Sequence, residues 1–491
     1  MKRVAIVGGG ISGLAAATAF DQAQRAGGRI EYTLFESSPR LGGVLVTEAV
    51  EDCILEAGPD SFLTEKSWGL DFCRSLGLGD ELIGSNDTER KTYILVNGRL
   101  VAIPDGLMFM VPTRILPTLT TPLFSFRAKL RMAVELLHRP ALSSNRRDET
   151  VAELVERHFG KEMVERLADP LLAGVYGGDA ASLSAAAVLP RFVEMEKKYG
   201  SLSRGMLAAH KRMAEMAARN SSGEKPRPRP LFTSLKNGMQ QLVDTVRARL
   251  SPQALRTNAL VTEIRHAGGS WSAVVSGNRH EFDALLLALP ANAAGKLLVS
   301  TSASLAADLS AIAYSSSVTV TLGYERAVLH RLPPGFGFLV PRSEGKRMLA
   351  CTFVHNKFPH RAPPHRGIIR CFLGGLHDEE ILALSDVEID QIVLQELKQI
   401  LGLAAEPRFR RVYRWEKSMA QYGPGHLDRT ARIQEAVGKI PGLALAGNAY
   451  QGIGVPDCIA SGLKAASSVL AQFGMSASDR APALAPSAAR G

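Results

Sequence analysis

Cysteine is scarce: there are five in 491 residues, none in a C-x-x-C pair, and an odd number cannot all be paired. That argues against a disulfide framework or a thiolate zinc site and for a reducing compartment. No apolar run reaches the roughly 18 residues of a membrane-spanning helix, because Pro or charge breaks the longest candidates. Nothing after Met1-Lys2-Arg3 reads as a signal-peptide cleavage site, so a cytoplasmic location is expected rather than export. Zinc-finger spacings, aromatic RNA-binding signatures and long basic arms are missing, which removes nucleic acid as a partner despite a net charge of +10. The positive surplus suits anionic lipid, an acidic small molecule or simple solubility, and does not choose among them. No Ser/His/Asp constellation stands out. His355, His360 and His365 recur at a spacing that fits neither one helix face nor a metal motif, and no metal is expected.

What is present is apolar and long enough for more than one core, at 46% hydrophobic residues. Residues 2 to 60 read as strand, glycine turn, helix, strand: Arg3 to Val7 is β-branched, Ser12 to Ala26 is Ala-rich, and Ile30 to Phe35 is strand-like again. Ala284 to Leu289 and Leu443 to Ala446 are short apolar runs of the kind buried in parallel sheets, so this first region is predicted to be discontinuous. Helical patterns fill Phe126 to Leu137, Thr150 to His158 and Met206 to Ala218. Alternating segments such as Ser317 to Leu322 and Gly367 to Leu373 predict a second, mixed or antiparallel sheet. The Pro-containing stretch Arg219 to Pro230 reads as an exposed connector, and residues 476–491 as a disordered tail.

The chemistry begins at Gly8-Gly9-Gly10-Ile11-Ser12-Gly13. Glycines at this G-x-G-x-x-G spacing permit a tight turn, let backbone approach a pyrophosphate, and let the helix pack closely on its strand. The helix N-terminus then offers unpaired N–H groups to the phosphates. Glu36 ends the second strand about 20 positions further on, where a carboxylate can accept both ribose hydroxyls. A second strand–glycine turn–helix passage, Ala446 to Gly462, includes Ile453, Gly454 and Val455; its N–H groups can stabilise negative charge on a reduced ring system.

Arg40-Leu41-Gly42-Gly43 resembles the R-x-G-G element of the flavoprotein family that includes amine oxidases and phytoene desaturases. Glu36 to Gly43, Glu56-Ala57-Gly58-Pro59-Asp60-Ser61-Phe62, Gly174-Val175-Tyr176-Gly177-Gly178-Asp179 and Gly452 to Ile459 together resemble the protoporphyrinogen and coproporphyrinogen oxidases of haem biosynthesis, over nearly the whole chain. The resemblance implies an α/β chain with a discontinuous FAD-binding Rossmann-like domain (1–88, 225–298 and 412–474), a mixed-sheet substrate domain (89–103 and 299–411) and an inserted α-helical domain (104–224). It implies non-covalent FAD on Gly8 to Gly13, Glu36, Ser37, Arg40, Gly43, Val44, Gly58, Pro59, Asp60, Ser61 and Ile453 to Val455. Val261 and Trp415 match further flavin positions, with plain core packing or a buried aromatic as the alternatives.

The implied reaction removes six electrons from a porphyrinogen, with oxygen as acceptor and hydrogen peroxide as product. Protoporphyrinogen IX is the first expectation and coproporphyrinogen III the alternative. The flavin carries the redox chemistry, so no catalytic side chain is named. Phe336, Leu339, Phe372 and Gly174 are the substrate candidates; sheet core, or helix capping for Gly174, is the competing explanation. In plant and animal relatives an arginine that pairs with a substrate propionate stands where this chain has Thr92. Arg90 is the substitute that strand alternation nominates. The basic, apolar helices, with Arg114, Arg127 and Arg131 near Phe109, imply peripheral contact with a membrane. A homodimer is left open. The rival readings are another FAD oxidase on this scaffold and a flavin-binding regulatory protein without turnover.

Overall fold

The computed structural model describes residues 1–108, 110–112, 115–138, 148–219 and 229–475. The expected tail, most of the Arg219–Pro230 connector, Phe109 and Arg114 lie outside the described residues. The chain forms two compact units: Met1–Ser85, Pro230–Ala313 and Asp428–Gly491 make the first, Asn86–Arg229 and Tyr314–Leu427 the second.

The first unit is built on a five-stranded parallel sheet in the order Leu255–Arg256, Ile30–Phe35, Lys2–Val7, Ala284–Leu287, Leu443–Leu445. Parallel strands covered on both faces need apolar residues at every position rather than alternation. Ala284–Leu287 is accordingly buried throughout, as are Val4 to Val7. The Lys2–Val7 strand lies at the centre, with Ile30–Phe35 on one side and Ala284–Leu287 on the other. The strand order therefore reverses at this strand, and doubly wound sheets open a binding crevice at the carboxyl ends of the strands on either side of such a point. The first helix, Ile11–Arg25, and the last, Val455–Gln472, pack together. Gly462 makes that possible: a Cβ there would sit 2.0 Å from the Ser12 carbonyl oxygen.

The second unit carries a seven-stranded mixed sheet in the order Phe409–Ala420, Tyr314–Glu325, Arg366–Gly374, Met348–Phe353, Gly337–Leu339, Thr92–Val96, Arg99–Ala102. One face is apolar: Val318, Val320, Leu322, Phe338, Ile369, Cys371 and Leu373 share a core with Ile389, Val393 and Leu397. Those three lie at i, i+4 and i+8 on the Asp386–Leu401 helix, so one stripe meets the sheet. Ser385 and Glu388 close a capping box at its start, and Gly402, left-handed at φ 67°, ends it. A separate core, including Leu154, Val155, Phe159, Met163, Leu167 and Phe192, gathers the helices of residues 126–206.

Two boundaries differ from expectation. Residues 412–420 pair with Tyr314–Glu325 and belong to the second unit, while the Ala303–Ser310 helix belongs to the first. The helical segment groups with the mixed sheet instead of standing as a third compact unit.

Candidate functional site

The glycine turn sits at the carboxyl end of the central strand, between Lys2–Val7 and Ile11–Arg25. Gly8 has φ 107°, a conformation that a side chain would strain, and a Cβ on Gly13 would lie 1.9 Å from the Gly8 carbonyl oxygen. These two glycines serve the fold. Gly10 is different: its φ of −68° suits any residue, and a Cβ there would meet nothing within 4 Å. No side chain caps the helix at Gly10. The open space lies directly before the first-turn N–H groups, which have no intrahelical acceptor. A turn open at Gly10 but crowded at Gly8 and Gly13 fits a bound pyrophosphate.

Glu36 follows the Ile30–Phe35 strand, and its carboxylate is anchored at both oxygens. It accepts the Gly9 N–H at 2.7 Å and the Ser38 N–H at 2.8 Å; the Ser37 hydroxyl donates to it at 3.3 Å. The carboxylate is thereby held against the glycine turn, where a ribose would meet it. Arg40 donates to the Gly43 carbonyl at 2.5 Å, closing the following loop. Gly43 is left-handed at φ 58°, and Val44 is an exposed apolar residue beside it. Gly58 backs onto the same loop, where a Cβ would meet the Val44 carbonyl oxygen at 1.9 Å. Ser61 donates to Asp60 at 2.6 Å, and the Asp60 carbonyl accepts the Ser234 hydroxyl at 2.6 Å.

At the last helix, Gly454 is the N-cap, Pro456 occupies the first turn, and the Asp457 carboxylate accepts the Gly454 N–H at 3.2 Å. Lys66 pairs with Asp457, so Ile453 to Val455 are held from both sides. Burial pushes the Cys458 thiol up to about 12, which keeps it a neutral packing group. Val261 is buried at the start of the Val261–Ala267 strand, close in sequence to Ala259, whose N–H donates to the Glu36 carbonyl. Every expected cofactor position except Trp415 lies in the first unit.

In the second unit the register decides which candidates share a face. Trp415 pairs with Ser317, Tyr413 with Thr319, Thr319 with Phe372, Phe372 with Ala350, Ala350 with Leu339, and Leu339 with Ile94. Residues directly opposite one another point to one side. Trp415, Phe372 and Leu339 therefore lie on the face opposite the Val318–Ile389 core. Gly174 is exposed in the Asp169–Tyr176 helix, and a Cβ there would lie 3.5 Å from the Leu339 side chain. The helix is capped by Gly177 instead, left-handed at φ 58°. Phe336 is buried one residue before the Gly337–Leu339 strand, on the alternation of core Phe338 rather than of Leu339. Arg90 is exposed and lies outside the Thr92–Val96 strand, so the alternation that nominated it does not extend that far. Thr319, Tyr413, Arg370 and Arg411 share the Phe372 face and were not singled out; only strand pairing brings them there.

A family profile described as flavin containing amine oxidoreductase matches residues 11–470. Coproporphyrinogen III oxidase of Bacillus subtilis (strain 168) is 34% identical over 478 residues, 96% of this chain and 98% of that protein. The mitochondrial protoporphyrinogen oxidase of Nicotiana tabacum is 30% identical over 498 residues, covering 96% and 95%. A crystal structure from Exiguobacterium sp. 255-15, provisionally assigned as a protoporphyrinogen oxidase, superposes with a TM-score of 0.84 at 31% identity, covering 96% of this chain and 99% of that one.

Proposed function

Since the chain belongs to the flavin-containing amine oxidoreductase family, and within it to the porphyrinogen oxidases, we propose that it oxidises coproporphyrinogen III to coproporphyrin III in haem biosynthesis, with FAD as cofactor. The observation that carries this reading is the collinear identity of 34% with the Bacillus coproporphyrinogen III oxidase, spanning 96% of one chain and 98% of the other. The Nicotiana relative acts on a porphyrinogen as well, which supports the substrate class, but at the lower identity of 30%. That difference reverses the order in which the sequence alone ranked the two substrates.

The glycine turn, Glu36, Ser37, Arg40, Gly43, Val44, Gly58 to Ser61, Val261 and Ile453 to Val455, all in the first unit, would hold FAD. Bound FAD supplies a two-electron acceptor that oxygen regenerates, so that porphyrinogen and three O2 give porphyrin and three H2O2. The protein's share is positional. Glu36 accepts ribose hydroxyls from an orientation that Gly9 and Ser38 already fix, and the helix dipole at Val455 favours negative charge beside it. Leu339 and Phe372 offer the macrocycle an apolar floor.

Steady-state turnover tests the reading. Coproporphyrinogen III is expected to show the higher kcat/KM, with three peroxides released per porphyrin. A higher value for protoporphyrinogen IX would replace the substrate. Turnover of amines only, or of nothing at all, would replace the function by the amine-oxidase or the non-catalytic reading.

Peripheral membrane contact rests on a separate observation. Phe126, Leu130 and Val134 are exposed at the i, i+4, i+8 spacing of one face of the Phe126–Glu135 helix, and Leu137, in the turn that follows, is exposed as well, 81% for Phe126 and 75% for Leu137. Exposed Arg127 and Arg131 lie beside that stripe, a pattern that suits an anionic bilayer surface. No helix among the described residues is long and apolar enough to cross a membrane.

A further inference from the structure

Thr92 stands where the family resemblance implies a propionate-binding arginine, so this position of the sheet carries no cation. The register brings two, Arg370 and Arg411, into the same cross-strand row, and of these Arg370 is the buried one. Thr92 pairs with Gly337, Gly337 with Thr352, Thr352 with Arg370, Arg370 with Thr321 and Thr321 with Arg411. All six positions face the same side as Leu339 and Phe372, which lie two residues along their strands. Arg370 is only 4% exposed, and its guanidinium lies 4.8 Å from the centre of the Phe372 ring, so the charge leans toward the apolar floor. Beside it, the Thr321 hydroxyl is 1% exposed and has no hydrogen-bond partner among the described residues. A buried hydroxyl without a partner costs free energy unless a ligand or water satisfies it.

Resting on the porphyrinogen reading, we propose that Arg370, assisted by the Thr321 hydroxyl, receives a carboxylate of the substrate. A guanidinium stays charged at every relevant pH and matches a carboxylate with two parallel N–H groups, while Thr321 adds a third donor. With strands about 4.8 Å apart, Arg370 stands roughly 14 Å along the row from Thr92. The cation is therefore displaced to the other side of the macrocycle, not substituted in place. A substrate with a propionate on each of its four rings can meet such a displaced cation. One with propionates on two adjacent rings does so in fewer orientations.

The test compares wild type with Arg370→Met, Arg370→Lys and Thr321→Val on coproporphyrinogen III and on its uncharged tetramethyl ester, in the same detergent. Arg370→Met is expected to raise KM for the tetra-acid about 10- to 100-fold, the worth of a charged hydrogen bond, with kcat little changed and the ester unaffected. Arg370→Lys restores part of the loss; Thr321→Val gives a smaller rise confined to the acid. Equal effects on acid and ester, or an unmoved KM for the acid, overturn the proposal. Equilibrium binding of the product coproporphyrin III, followed by porphyrin fluorescence, needs no turnover. If wild type oxidises no porphyrinogen but binds coproporphyrin III, the proposed function fails while the Arg370→Met binding ratio still judges this assignment. If wild type binds no porphyrin, both fail.

Discussion

Replacing Gly10 by alanine separates what the glycine turn does for the fold from what it does for a ligand. Its φ of −68° accommodates a side chain, and the added methyl meets no protein atom within 4 Å. In the apoprotein two small effects oppose each other. Alanine restricts the unfolded chain, worth about 0.4–1 kcal/mol in favour of folding, and is a poorer N-cap than glycine by several tenths of a kcal/mol. The apoprotein's stability should stay within about 0.5 kcal/mol of wild type. With FAD the methyl enters the space assigned to the pyrophosphate, and overpacking of that kind costs roughly 1–3 kcal/mol, or about 5- to 150-fold in Kd. Gly13→Ala behaves oppositely: its Cβ would lie 1.9 Å from the Gly8 carbonyl oxygen, so the apoprotein itself loses stability. Urea denaturation of both apoproteins, with FAD titration of each by flavin fluorescence, reads both numbers. A Gly10→Ala protein that binds FAD like wild type would refute the placement of the pyrophosphate, as would an apoprotein destabilised as much as Gly13→Ala.

Glu36→Gln keeps the shape of the side chain but removes the charge that accepts the Gly9 and Ser38 N–H groups; FAD affinity should fall about tenfold, measurable by the same titration. In the helical region, buried Glu135 accepts the Ser201 hydroxyl and the Leu202 and Ser203 N–H groups, and His158 bridges it to Glu196. Burial alone would lower the His158 pKa, but hydrogen bonds to Glu135 and Glu196 prevail and hold it above the usual value. Its contribution to stability is complete below the ordinary histidine range and is lost as pH rises through the elevated value; Glu196, held at about 2 by His158 and Arg157 against desolvation, loses its contribution only in strong acid. His158→Phe should cost about 3–5 kcal/mol and abolish the alkaline fall in Tm, and a variant whose Tm still falls there would point to another group. Leu130→Glu with Leu137→Glu should abolish co-sedimentation with anionic vesicles while leaving turnover of detergent-dispersed substrate intact; unchanged sedimentation would move the contact elsewhere. Cys458, at about 12, should resist alkylation near pH 8 until the protein is unfolded, as mass spectrometry of the intact chain would show.

The parts of the first unit that local chemistry dictates were legible. Gly8, Gly10 and Gly13 announce a turn, Glu36 follows the second strand, and continuous apolar runs such as Ala284–Leu287 mark strands covered on both faces. The second unit was legible only in outline. Ser317, Thr319 and Thr321 look like the wet face of an alternating strand, yet Thr319 and Thr321 are buried. Arg370 and Thr92 share a row through three pairings between segments far apart in the chain, and register of that kind is a property of the assembled sheet. Arg90 was nominated by extending strand alternation two residues too far. Trp415 was assigned to the wrong unit because a boundary placed inside the Phe409–Ala420 strand cannot be detected from composition.

The most direct test of the central claim is anaerobic mixing of the FAD-loaded protein with stoichiometric coproporphyrinogen III, following the flavin and porphyrin absorbances together. Rapid bleaching of the flavin, followed on admission of air by its recovery and growth of coproporphyrin absorbance, is the predicted result. A flavin that stays oxidised with porphyrinogens and bleaches only with amines would contradict it.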